Sequence, residues 1–149
     1  MSTIVVGLDG SEGSVKALRF AIEEARIRGG EVKAVCAWHV PPIAYEGGWV
    51  PSPLDIEDFP KSAQAALDKN IAEVAAGESG VEVTPVVREG LAAEVLVAEA
   101  RGADLLLVVG SRGLGGFRGL LLGSVSQQCA HHAPCPVAIV PLHKTPDKS

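Results

Sequence analysis

Short apolar runs alternate with amphipathic helical stretches along nearly the whole chain, and this alternation leaves few folds open. Residues 3–8 (TIVVGL), 32–40 (VKAVCAWHV), 81–87 (VEVTPVV), 103–109 (ADLLLVV) and 137–140 (VAIV) are strand-sized and rich in Val, Ile and Leu. Continuous apolar runs of this kind suit strands covered on both faces. Between the first two runs, Val15, Leu18, Ile22 and Ala25 recur at helical spacing. Ser11 is placed to cap that helix, and Gly29-Gly30 to end it. Helices are also expected over 61–76, 91–100 and 123–132. Strand–helix–strand repetition predicts an α/β fold, a single open five-stranded parallel sheet with right-handed crossovers and helices on both faces. The run at 103–109 is read as its central strand. Pro85 cannot donate to a ladder, so 81–87 is read as an edge.

A chain of 149 residues suits one domain of this design, read here as residues 1–143 followed by a polar tail, 144–149. With 47% hydrophobic and only 4% aromatic residues, the core must be aliphatic. The net charge of −5, with no Lys/Arg run, argues against a broad nucleic-acid surface. The opening Met1-Ser2-Thr3-Ile4 lacks a basic segment followed by an apolar one, and no apolar run is long enough to span a membrane. Three cysteines, Cys36, Cys129 and Cys135, are too few for a disulfide scaffold, so the expected compartment is the cytoplasm. Residues 41–60, rich in proline, are read as a long irregular flap.

The chemistry concentrates in Gly110-Ser-Arg-Gly-Leu-Gly-Gly-Phe-Arg-Gly-Leu-Leu-Leu-Gly-Ser-Val-Ser, residues 110–126, between the most apolar run and a helix start. Its glycines let backbone N–H groups come close to a ligand. A helix beginning near Gly123 offers free amides and a positive dipole end, Ser124 and Ser126 add hydroxyls, and Arg112 and Arg118 add charge. All of this favours phosphate. The P-loop pattern fails for want of its lysine, and the dinucleotide pattern fails because Arg118 stands where glycine is required. A second cluster, Cys129, His131, His132 and Cys135, is read as a helix end with partly buried thiols. Adjacent histidines on a helix diverge by about 100°, which does not suit a tetrahedral metal site.

The pattern that does fit is Gly110-x2-Gly113-x9-Gly123-Ser124, which resembles the nucleotide-binding signature of the universal stress protein family in its ATP-binding branch. IVVGLDGSEGS at 4–14, AWHV at 37–40, DLLLVVGSRG at 104–113 and PCPVAIVP at 134–141 extend the resemblance over nearly the whole chain. It implies strand order 3-2-1-4-5 and an ATP site with Mg²⁺. In that site Gly7 and Asp9 approach the nucleoside, Asp9 serving ribose hydroxyls or the metal, and Val40 offers main-chain groups to adenine. Val109, Gly110 and Gly113 lie near ribose and phosphates, while Gly123, Ser124, Val125 and Ser126 hold the phosphate chain. Asp9 is expected to serve the ligand more than the fold.

The same resemblance implies a stress-response regulator that switches with its nucleotide, hydrolyses it slowly if at all, and acts on a protein partner. The last strand, VAIV, lacks any proline or charge to discourage pairing, so a homodimer through residues 136–142 is expected. Two alternatives are a nucleotide-free interaction module of the same family and an ATP-dependent adenylating enzyme. The glycine signature speaks against the first. Against the second, the S-G-G-x-D-S pattern is absent after the first strand, where this chain has Gly7-Leu8-Asp9-Gly10-Ser11.

Overall fold

The structure, a computed structural model, describes residues 2–39, 53–75, 80–111 and 123–141. Five strands form one parallel sheet: β1 (Thr3–Gly7), β2 (Glu31–Trp38), β3 (Val83–Glu89), β4 (Leu106–Gly110) and β5 (Val137–Val140). Their order is β3-β2-β1-β4-β5, as the resemblance implied. Among the described residues, four helices connect them: α1 (Glu12–Arg28), α2 (Pro53–Ala75), α3 (Ala92–Glu99), which runs on into a 3-10 turn at Ala100–Gly102, and α4 (Ser124–His132).

Side chains alternate across β1 and divide the core in two. Ile4, Val6 and Leu8 face α1 and α2, packing with Ala17, Leu18, Ile22, Leu67 and Val74. Val5 faces the other way, with Val35, Leu96, Leu107, Val109 and Cys129 against α3 and α4. Helices therefore cover both faces, which is why the strands are apolar throughout.

The central strand is β1, not β4, which corrects one expectation. The unbroken apolar run at β4 reflects an interior strand flanked by β1 and β5. Pro85 does lie on an edge, pairing only with β2 through Ala34. A larger correction concerns the expected flap: residues 53–60 are helical, so α2 begins well before residue 61. Pro53 opens the helix, where a missing N–H costs nothing. Pro60 lies inside it and forfeits one backbone bond. Packing offsets that loss. Phe59 stacks on Trp38 at the end of β2, ring centroids 6.4 Å apart and 5° from parallel. The rest of the expected flap, 41–52, lies outside the described residues, as do the tail and residue 40.

One charged tie links three elements below the α3 face. Glu99 of α3 binds Lys33 of β2 at 2.7 Å and Arg88 of β3 at 3.0 Å, with its side chain only 13% exposed. Burial alone would raise its carboxyl, but the bonds and charges of Lys33 and Arg88 outweigh burial and hold it below the usual range. Stability from this tie is thus present above the unfolded carboxyl value of about 4.3 and is lost as pH falls through the lower folded value. Because Lys33 and Arg88 remain partly in water, Glu99→Gln should cost about 0.5–1 kcal/mol at pH 7. That corresponds to a melting temperature lower by about 1–4 °C. The difference should shrink below about pH 4 as wild type protonates. Melting curves from pH 7 to pH 3 test this, and a constant difference across that range would show that the carboxylate charge is not what Glu99 contributes.

Candidate functional site

The β1–β4 boundary is where connections depart in opposite directions: β1 leads through α1 to β2 on one side, while β4 leads through α4 to β5 on the other. In open parallel sheets the crevice beyond the strand carboxyl ends at such a boundary receives ligands. The loop after β1, the end of β4 and the starts of α1 and α4 lie there.

The first loop follows β1. Leu8 extends the ladder by one bond, its N–H reaching the carbonyl of Val35 at 2.8 Å. Asp9 then folds the chain back on itself: its Oδ1 accepts from the Ser11 N–H at 2.9 Å and from the Ser14 hydroxyl at 2.7 Å. The Asp9 N–H in turn donates to Ser14 Oγ at 2.8 Å. Ser11 caps α1 as expected, accepting from the Ser14 N–H at 3.2 Å. Gly10 has φ of +86°, a conformation that favours glycine, and the loop turns there.

Sequence reasoning missed the residue beneath this loop. Asn70, fully buried in α2, accepts from the Gly10 N–H at 3.0 Å and donates to the Ser11 carbonyl at 3.4 Å. A signal was present. Ala63, Leu67 and Val74 form the buried stripe of α2, and position 70 falls in it, where an apolar residue would be expected.

At the adjacent strand mouth, β4 ends at Gly110 and Ser111 follows. Ser111 is tied to β5, its N–H donating to the Val140 carbonyl at 2.9 Å. Across the chain, the Gly123 N–H donates to the Ser111 carbonyl at 2.6 Å, which pins the start of α4 to the end of β4. Ser126 is buried, its hydroxyl 2.9 Å from the Gly123 carbonyl and 3.3 Å from that of Ser111. It therefore fastens the helix start from within. Ser124 is exposed and Val125 half-buried at the first turn, where backbone N–H groups have no intrahelical acceptor. No acidic residue lies in that turn. Such a helix start can receive an anion.

The other expected site residues are placed as follows. Gly7 ends β1, and a Cβ there would lie 2.6 Å from Leu96 Cδ1, so helix packing already calls for a small residue. Val109 is buried among the side chains facing α3 and α4, leaving only its backbone for a ligand, and Gly110 follows at the strand end. Val40, Arg112, Gly113 and Arg118 lie outside the described residues. Asp9, Gly10 and the α1 start thus stand at one strand mouth, and Ser111, Gly123, Ser124 and Val125 at the adjacent one.

Cys36 lies on the face of β2 that packs against α1 and α2, and burial, then the charge of Asp9, push its thiol up to about 11. Cys129 is likewise raised to about 11 by burial. Both are protonated and unreactive at neutral pH. His131 and His132 are exposed and tilted 53° from each other. Among the described residues, no three His, Cys, Asp or Glu side chains gather as a metal site, and no helix is long and apolar enough to cross a membrane.

The model of the universal stress protein family matches residues 1–141. A universal stress protein of Mycolicibacterium smegmatis is 36% identical over 141 residues, covering 92% of this chain and 45% of the relative. One from Mycobacterium tuberculosis is 37% identical over 136 residues, covering 91% of this chain and 44% of the relative. The chain thus spans about half the length of the curated relatives it matches. Among solved structures, a universal stress protein in complex with cAMP is 33% identical, with a TM-score of 0.64 over 93% of this chain and 96% of that one. The universal stress protein of Archaeoglobus fulgidus in complex with dAMP is 27% identical, with a TM-score of 0.65 over 94% and 98%. With the sheet order and the match over nearly every residue agreeing, this chain belongs to the universal stress protein family.

Proposed function

We propose that this chain binds an adenine nucleotide, ATP with Mg²⁺, in the crevice beyond β1 and β4, and acts in stress response as a nucleotide-dependent regulator. The observation that carries the reading is the start of α4. Its first turn has no acidic residue and is pinned to β4 through Gly123 and Ser111, beside the loop that carries Asp9. Nucleotides in the cAMP and dAMP complexes of related proteins support the same ligand class. Amides of Ser124 and Val125 would hold phosphates, with Gly113 beside them. Gly7, Asp9, Val109 and Gly110 would flank the nucleoside, and Val40 would meet adenine through its main chain. Ser126 would act from within, by holding the helix start. Mg²⁺ would be held mainly by the phosphates, with Asp9 as the protein carboxylate at the mouth of β1.

The sequence carries no lysine in the P-loop position, so the reading is binding with slow turnover at most, and a switch rather than catalysis. Nucleotide occupancy would alter what a protein partner meets. The free thiols of Cys36, Cys129 and Cys135 suit a reducing compartment such as the cytoplasm. The strand β5 is last in the sheet and half-buried along its length, and a second copy pairing there about a two-fold axis would cover it.

Native mass spectrometry of the purified protein, alone and with added ATP, GTP, cAMP or dAMP, tests these points together. A dimer carrying ATP, and preferring ATP to GTP, is expected. Protein that binds no adenine nucleotide, with or without Mg²⁺, would leave the nucleotide-free interaction module as the better reading. Pyrophosphate release on adding a carboxylic acid would point to the adenylating enzyme.

A further inference from the structure

Three turns of α2 bury Ala63, Leu67 and Val74 against the sheet, and Asn70 completes that stripe with no exposure at all. A carboxamide in an apolar stripe is costly unless its hydrogen bonds are met. Here both ends are met, and both by one loop: Oδ1 by the Gly10 N–H at 3.0 Å and Nδ2 by the Ser11 carbonyl at 3.4 Å. The contact is close on the backbone side too, since a Cβ at Gly10 would stand 3.0 Å from the Ala66 Cβ of α2. The residue before this pair is Asp9, and the residue after it begins α1. A leucine at 70 would suit the helix better, so the amide serves the loop.

We infer that Asn70 is the positioning residue of the β1–α1 loop: its buried carboxamide holds Gly10 and Ser11 so that Asp9 and the start of α1 face the ligand crevice, which couples the docking of α2 to nucleotide binding. The coupling to nucleotide rests on the function proposed above, whereas the hold on the loop does not. Coupling is reciprocal. A nucleotide that needs the loop in this geometry strengthens the seating of α2, and a loosened α2 weakens the nucleotide.

Amide hydrogen exchange and calorimetry with MgATP test the inference on three proteins: wild type, Asn70→Leu, and Leu67→Ala as a control one turn away. In free Asn70→Leu, the Gly10 amide should exchange at least about tenfold faster than in wild type, because its acceptor is gone. MgATP should bind about tenfold more weakly, the loss expected for one hydrogen bond to a placed group. The melting temperature should stay within a few degrees of wild type, since leucine completes the stripe. Leu67→Ala, which keeps the Asn70 amide, should lower the melting temperature more, by about 4–20 °C, yet weaken MgATP less than Asn70→Leu does at temperatures where it is folded.

Asn70→Leu with wild-type Gly10 exchange and wild-type affinity would overturn the inference. Should that variant not fold, wild type alone decides. The Gly10 amide must then exchange in step with the α2 amides around Asn70, and faster exchange independent of α2 would refute the hold. Absence of MgATP binding to wild type would sink the proposed function, yet the exchange comparison would still uphold or refute the positioning of the loop.

Discussion

Ser124→Glu should weaken ATP binding by about a hundredfold while making the free protein slightly more stable. Ser124 is the exposed first residue of α4. A carboxylate there meets the positive end of the helix dipole, worth about 0.3–1 kcal/mol, or about 1–4 °C in melting temperature for a domain of this size. The same carboxylate would sit where the phosphates are proposed to bind. Two like charges about 5 Å apart repel by roughly 3 kcal/mol at a near-surface dielectric, about a hundredfold in affinity. Ser124→Lys should move both quantities the other way. Opposite signs make the pair diagnostic, because a variant that merely damaged the helix would lower stability and affinity together. Calorimetry with ATP and thermal melts of the free proteins decide the matter. Ser124→Glu that binds ATP as wild type does would place the phosphates elsewhere.

Asp9→Ala should lower the melting temperature of the free protein by about 4–8 °C, from a loss of about 2 kcal/mol. The sequence reading expected Asp9 to serve the ligand more than the fold. Its Oδ1, however, accepts from both the Ser11 N–H and the Ser14 hydroxyl, and alanine would leave both donors without that partner in a partly buried place. Asp9→Asn separates the two tasks. Asparagine keeps an oxygen acceptor for Ser11 and Ser14 but drops the charge, so the melting temperature should fall by about 2 °C or less. Affinity for MgATP should still drop about tenfold, as expected for losing a charged partner to ribose or metal. Unchanged melting in Asp9→Ala would show that Ser14 and Ser11 find other partners. Unchanged affinity in Asp9→Asn would remove the charge from the proposed site.

Elements whose formation depends on near neighbours were legible from residue order. The strand VAIV at 137–140 coincides with β5, and Gly29, with φ of +71°, ends α1 where the glycine pair marked its end. The helix start at Gly123-Ser124 also falls where the glycine spacing placed it. In each case the determinant is local: β-branched runs, a left-handed residue, or a cap. The parallel sheet followed from the alternation itself, whereas its order needed the family resemblance.

Tertiary structure decided what local chemistry leaves open. Prolines at 53 and 60 suggested an irregular flap, yet α2 runs through them because the stacking of Phe59 on Trp38 adds a contact that no local propensity contains. The longest apolar run suggested the middle of the sheet, yet β1 holds it, since apolarity records covered faces and not rank within the order. Position alone suggests Asp9 for the ligand, and only the folded loop, which brings Ser14 within 2.7 Å, adds its part in holding the start of α1. Asn70 stands 60 positions from Gly10 in the chain, so its meaning exists only once α2 is docked. Sequence by itself determined the elements, the fold class and the segment suited to phosphate. Contacts between distant segments determined which strand is central, where α2 begins and which buried amide holds the loop, because the energy of such contacts depends on neighbours that only the folded chain supplies.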